Sequence, residues 1–135
     1  MPTRLLHLDP MTRFSDAARQ TTAALRALFP ETPLQRNDHL SARYDAEIWL
    51  KREDLSPVRS YKLRGAFNAM RKVRARQPDQ RQFVCASAGN HAQGVAFACR
   101  HFGVQGVIFM PVTTPQQKID KTRTFGGDQV RIRQP

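Results

Sequence analysis

Lys62 stands in the stretch SYKLRG, residues 60–65, where the apolar positions Leu63, Ala66, Phe67, Met70 and Val73 begin to recur at helical spacing. Ser60 is a good N-cap residue, which puts the lysine in the first turn of that helix. There the positive end of the helix dipole opposes a cation, and burial beside Tyr61 and Leu63 would act in the same sense, so both favour the neutral amine. A neutral lysine amine is the nucleophile that condenses with an aldehyde to a Schiff base. Without further context, a surface lysine with its stem laid along the protein is the commoner reading.

A second candidate is Ser87-Ala88-Gly89-Asn90-His91, which joins the apolar run FVCAS (83–87) to a helical pattern from about His91 to Phe102. Ligands gather beyond the carboxyl ends of parallel strands, and a helix start offers unpaired N–H groups and a positive dipole end. A small residue and a glycine let an anion come close to the backbone, which suits a carboxylate or a phosphate. A plain polar turn that caps the following helix is the alternative. His91, His101, Cys85 and Cys99 do not form a metal constellation, because their spacings place them on different faces and elements.

These two stretches must be positioned by the elements around them. A helix is expected from Thr12 to Phe29, with Phe14, Ala18, Leu25 and Leu28 on one face and Pro30 ending it. TPLQRN reads as extended, DHLSARY as a helical turn and AEIWLKRE as a strand. FVCAS and GVIFMP (106–111) have the character of buried strands. In the helix between them Ala92, Val95, Ala96, Cys99 and Phe102 point inward, and Gly103 suits a left-handed cap. Thr114-Pro115-Gln116-Gln117 offers an N-cap, a proline at N1 and a capping-box glutamine for a helix over 115–125. DQVRIR is the last strand. Strand, helix, strand, helix, strand at this spacing implies right-handed crossovers on a parallel sheet. Residues 1–53 offer too few strands for a sheet of their own and residue 135 follows directly on a strand, so the sequence reads as the N-terminal portion of a longer one.

With 22 Lys and Arg against 11 Asp and Glu, the formal charge is +11, which alone would invite a nucleic-acid or anionic-membrane partner. The cations are scattered, and no aromatic residues are interleaved with them as a nucleic-acid surface requires. RKVRARQ (71–77) is locally dense but ends a helix, where basic residues complement the dipole and face water. No apolar run reaches the roughly 18 residues of a membrane span. Cys85 and Cys99 lie among apolar residues without C-x-x-C spacing, as buried free thiols of a cytoplasmic protein would.

KREDLSPVRSYKLRGA resembles the pyridoxal-phosphate attachment segment of the serine/threonine dehydratases, in which an acidic residue precedes a Ser-aromatic-Lys-x-Arg-Gly run at nearly fixed distance. SAGNHAQGVAFAC is similar to that family's asparagine loop and follows at the family's interval. ETPLQRNDHLS, FMPVTTPQQKID and FGGD extend the resemblance from about Glu31 to the end, most closely to the biosynthetic threonine dehydratases.

The resemblance implies an α/β fold of the tryptophan-synthase-β kind, with flanking helices on a parallel sheet. Residues 1–53 would start a larger domain and residues 54–135 would form most of a smaller, doubly wound one. It implies pyridoxal 5'-phosphate held by Lys62 as a Schiff base, with Tyr61 against the ring and Asn90 on the ring's 3-oxygen. Ser87, Ala88, Gly89 and Asn90 would hold the substrate carboxylate. Lys62, once freed, would remove the Cα proton, and threonine would give 2-oxobutanoate, a precursor of isoleucine, and ammonia. The family's glycine-rich phosphate loop lies beyond the matched part of the pattern. Serine dehydratase and serine racemase share these motifs, and one methyl group separates their substrate from threonine, a difference of about 1–3 kcal/mol in a pocket. The resemblance also implies a homo-oligomeric whole protein. An inactive relative acting as an interaction module is the reading from a different class.

Overall fold

The computed structural model describes residues 10–135, and these divide into two compact units at Glu31/Thr32. The first is one helix, α1 (Pro10–Arg26), followed by a turn in which Leu28 N and Phe29 N both donate to Leu25 O at 2.9 and 3.2 Å. Leu25 is buried and Leu28 half-buried, but Phe14 and Ala18, expected on the same inward face, are exposed. A single helix has no neighbour of its own with which to cover its first turns.

The second unit opens with a short antiparallel pair, β1 (Leu34–Arg36) and β2 (Trp49–Lys51), joined through α2 (Asp38–Tyr44). Asn37 caps α2 by accepting from Leu40 N at 2.8 Å, and Asp45 closes it in the left-handed conformation, φ 48°. A 3-10 turn (Glu53–Leu55) leads to α3 (Lys62–Arg76). Then come β3 (Gln82–Ala86), α4 (Asn90–Phe102), β4 (Gln105–Phe109), α5 (Gln116–Gly126) and β5 (Val130–Arg133). The three strands form a parallel sheet in the order β3-β4-β5.

That order explains the sheet's asymmetry. Both crossovers step in the same direction, so with one handedness they put α4 and α5 on the same face, where the two helices pack together. Ile108 and Gly106 are buried beneath them, whereas on the other face Val84 is 64% exposed and Phe109 39%. The expectation of strands buried on both sides is therefore corrected: β3 and β4 alternate, because the described residues bring helices to one face only.

α4 is the centre of the unit, touching α3, α5 and all three strands. Its small residues permit this. Ala92, Ala96 and Ala98 are buried with Val95 and Cys99 against Ala66 and Met70 of α3, Ile108 and Met110 of the sheet, and Ile119 of α5. A Cβ on Gly106 would lie 2.8 Å from Cys99 Sγ, so this glycine sets how closely α4 approaches β4. Gly103 ends α4 at φ 62°, the left-handed cap expected of it, while Phe102 is only half-buried, stacked on Phe67 at 4.9 Å between centroids.

Two further expectations change. Thr114 does not cap α5: its hydroxyl turns back to Pro111 O at 2.7 Å, Pro115 takes the cap position, and no side chain bonds the first turn. Cys99 is buried as expected, but Cys85 is half-buried; both are free thiols. Burial raises both, Cys99 to about 11. Native protein at neutral pH should therefore leave Cys99 unmodified by iodoacetamide while unfolded protein is alkylated twice, as mass spectrometry will read.

Candidate active site

Two turns of the second unit carry the candidate chemistry. The first is the loop into α3. Ser60 was expected to cap this helix, but Tyr61 occupies that position, with helical angles (φ −68°, ψ −14°) and no side-chain cap bond. Ser60 is instead drawn inward. Ser56 Oγ donates to Ser60 O and accepts from Ser60 N, both at 3.0 Å, and both serines are buried. Between them Arg59 is left-handed, φ 57°, a conformation that a non-glycine residue adopts at some cost.

Lys62 opens α3. The expected burial is overturned: Lys62 is exposed, and its Nζ lies 5.2 Å from the centroid of the Tyr61 ring, itself 59% exposed. The helical repeat accounts for this. Leu63 is completely buried, and the residue before it is turned about 100° away, toward water.

The second turn links β3 to α4. Ser87 N donates to Phe109 O at 3.0 Å, tying the turn to the end of β4, and Gly89 N donates to Ser87 Oγ at 3.3 Å. Ser87, Ala88 and Gly89 are half-buried and Asn90 is exposed. Among the described residues no side chain caps α4, so the amides of its first turn lack a capping partner, and the space a Cβ would fill on Gly89 is open. Beside this turn lies an apolar hollow of about 440 Å³ at the carboxyl ends of β3 and β4, bordered by Ala86, Ala88, Phe109, Met110 and Pro111.

Gly94 joins the two turns. A Cβ there would stand 3.1 Å from Lys62 C, Lys62 O and Leu63 N, all backbone atoms, so only glycine lets α4 rest on the start of α3. Asn90 is four residues earlier and shares that face of α4. The backbone at the start of α3 thus rests on α4 one turn beyond Asn90, where the Ser87–Asn90 turn ends.

A third feature had only a partial signal in sequence, an acidic residue at fixed distance before the lysine. Glu53 is that residue in space. Its carboxylate takes Arg64 Nε at 2.9 Å, Arg64 Nη2 at 2.8 Å and Thr32 Oγ1 at 2.6 Å. Asp54 pairs instead with Arg52. The Arg64 fork holds the Glu53 carboxyl below the usual carboxylate range, against burial, which pushes it up, and Thr32 assists. A lowered carboxyl stabilises the fold above its unfolded value of about 4.3 and loses that contribution as pH falls through its folded value. Glu53→Gln is expected to cost about 1–3 kcal/mol at neutral pH, with the difference from the parent shrinking below about pH 4 in acid denaturant titrations.

The fold defines a class: a parallel α/β unit in which the helix opened by Lys62 packs on the helix that follows the Ser87–Asn90 turn. The family model described as pyridoxal-phosphate dependent enzyme matches residues 25–134, and the chain belongs to that family, whose cofactor is pyridoxal phosphate. It is 60% identical over 101 residues to the biosynthetic L-threonine dehydratase IlvA of Bacillus subtilis, covering 75% of this chain and 24% of that protein. It is 51% identical over 109 residues to the Staphylococcus saprophyticus protein of the same name, covering 80% of this chain and 25% of the relative. The chain thus spans about a quarter of the length of these curated relatives. Among solved structures, the processed form of threonine deaminase isoform 2 from Solanum lycopersicum matches with TM-score 0.76 and 39% identity, covering 93% of this chain and 36% of that one. A pyridoxal 5'-phosphate-dependent aspartate racemase matches with TM-score 0.79 and 26% identity over 90% of this chain and 38% of the other. Among the described residues no helix is long and apolar enough to cross a membrane.

Proposed function

We propose that the whole protein is an L-threonine ammonia-lyase and that these residues supply its cofactor lysine and its substrate-carboxylate turn. The observation that carries this reading is the Gly94 contact, which sets Lys62 against the face of α4 that begins at Asn90. The names of the relatives support threonine as substrate.

The donor set fits the ring and aldehyde of an aromatic aldehyde. An accessible primary amine on Lys62 can be joined to a carbonyl, the exposed face of Tyr61 can lie against a ring, and the Asn90 amide can bond a ring oxygen. Pyridoxal phosphate, when bound, supplies an electron sink for the substrate's Cα–H bond. The protein's own tasks follow from its groups. The first amides of α4, which no side chain caps among the described residues, hold the substrate carboxylate at the positive end of that helix, beside the Ser87–Asn90 turn. Lys62 Nζ, when free, accepts the Cα proton. The Cα proton and the β-hydroxyl together leave as one water, and one water enters when the resulting enamine, as its imine, is hydrolysed, so threonine gives 2-oxobutanoate and ammonia.

The test is an assay of the whole protein with pyridoxal phosphate, following ammonia and 2-oxo acid from L-threonine and L-serine. Cofactor-dependent release with the higher kcat/KM for threonine supports the reading; a preference for serine moves the protein to the serine branch of the family. No release from either substrate contradicts it.

A further inference from the structure

We infer that Glu53 is a positioning residue for Lys62: by gripping Arg64 and Thr32 it closes the loop that carries the lysine and fixes the direction in which the side chain leaves α3. The inference rests on the assignment of Lys62 made above.

Among the described residues the Lys62 amine meets no hydrogen-bond or ion-pair partner, only the Tyr61 ring. It is exposed, and the Tyr61 ring beneath it is itself largely in solvent. The helix start is equally bare, since no side chain caps α3 at Tyr61. An uncapped first turn frays unless tertiary contacts hold it. The contacts that do so converge from three parts of the chain. Thr32, 3% exposed, precedes β1; Glu53 follows β2; Arg64 lies two residues beyond the lysine. The Arg64 fork on Glu53 is bidentate, Thr32 Oγ1 donates to the same carboxylate, and Arg64 Nη2 reaches Thr32 Oγ1 at 3.3 Å. Lys51 Nζ donates to Thr32 O, tying in the end of β2.

This closure has an internal load to bear. Within the loop, Arg59 is held left-handed and Ser60 is clamped by Ser56. Such a conformation persists only where surrounding contacts over-determine it. A planar fork does this better than a point charge, because two parallel bonds fix orientation as well as distance. Glu53→Gln replaces one acceptor oxygen with a donor facing Arg64, which breaks the fork while keeping the shape.

The experiment uses the whole protein and reads two quantities, amide hydrogen exchange by segment and the rate of pyridoxal phosphate capture on each lysine by borohydride trapping and peptide mapping. In Glu53→Gln, exchange over residues 60–66 is expected to rise about tenfold, with residues 92–99 of α4 unchanged, and capture at Lys62 to fall about tenfold, with Lys72 unchanged. Arg64→Lys, which keeps the charge but not the fork, should do the same. If Glu53→Gln also loosens residues 92–99, Thr32→Val, which removes one bond to the carboxylate, decides: a rise confined to 60–66 with slower capture supports the role, and no change overturns it. Unchanged capture in Glu53→Gln, whatever the exchange, leaves Glu53 a structural residue and overturns the inference while the assignment of Lys62 stands. A parent chain that does not capture the cofactor at Lys62 overturns that assignment and this role together.

Discussion

Lys62→Ala is expected to leave the stability of the chain within about 0.5 kcal/mol of the parent while abolishing covalent attachment of pyridoxal phosphate. Both halves follow from the same geometry. Lys62 is exposed, so truncation removes little more than its position over the equally exposed Tyr61 ring, worth no more than about 0.5 kcal/mol at such a site. The amine, in contrast, has no substitute at the α3/α4 junction. Lys62→Arg should fail as completely, because a guanidinium stays protonated and cannot serve as nucleophile or base. In the whole protein either change should reduce threonine turnover by at least about a thousandfold, as loss of a covalent catalytic group does. Equal denaturant midpoints with lost turnover match the account. Retained turnover in Lys62→Ala would remove the lysine from the chemistry.

The second large effect is expected at Gly94. Valine there would drive three side-chain carbons into the backbone of Lys62 and Leu63, where even a bare Cβ stands 3.1 Å from three atoms. Backbone atoms cannot swing aside as a side-chain tip can, so α3 and α4 must part, at a cost of about 3 kcal/mol or more. The junction between the start of α3 and the helix after the Ser87–Asn90 turn opens with them, so cofactor capture should fall along with stability. Gly65→Ala is the matching control. Gly65 is an exposed position within α3 whose added Cβ would meet nothing within 4 Å, so the gain in helix propensity of about 1 kcal/mol should appear undiminished. Urea titrations of the two variants should therefore move in opposite directions.

What could be read in the sequence follows the range of the interactions involved. The apolar spacing of Leu63, Ala66, Phe67 and Met70 depends on residues within two turns, and it located α3 and its buried face. Gly103 likewise declares its own conformation. Ser60 misled because its role is decided by Ser56, which claims both its backbone groups, and by Arg59, whose left-handed angle has no local residue signal. The exposure of Lys62 is a phase effect, set by which neighbour the core takes. Val84 and Phe109 looked buried because composition records apolarity but not strand order, and it is the order β3-β4-β5 that keeps both crossover helices on one face. Thr32, Glu53 and Arg64 lie far apart in sequence, and their meeting depends on how the β1–β2 pair folds back toward α3. The two candidate motifs were legible as stretches that match a family's pattern at its intervals. The contact between the helices that follow them was not, since it depends on a single missing Cβ at Gly94.

The central claim is that one amine among the five lysines is placed to take the cofactor. Incubation with pyridoxal phosphate, reduction with borohydride and peptide mapping test it directly. The pyridoxyl label is expected on the peptide containing Lys62, with Lys51, Lys72, Lys118 and Lys121 at background. A label spread evenly over those lysines, or concentrated on one of the others, would contradict it.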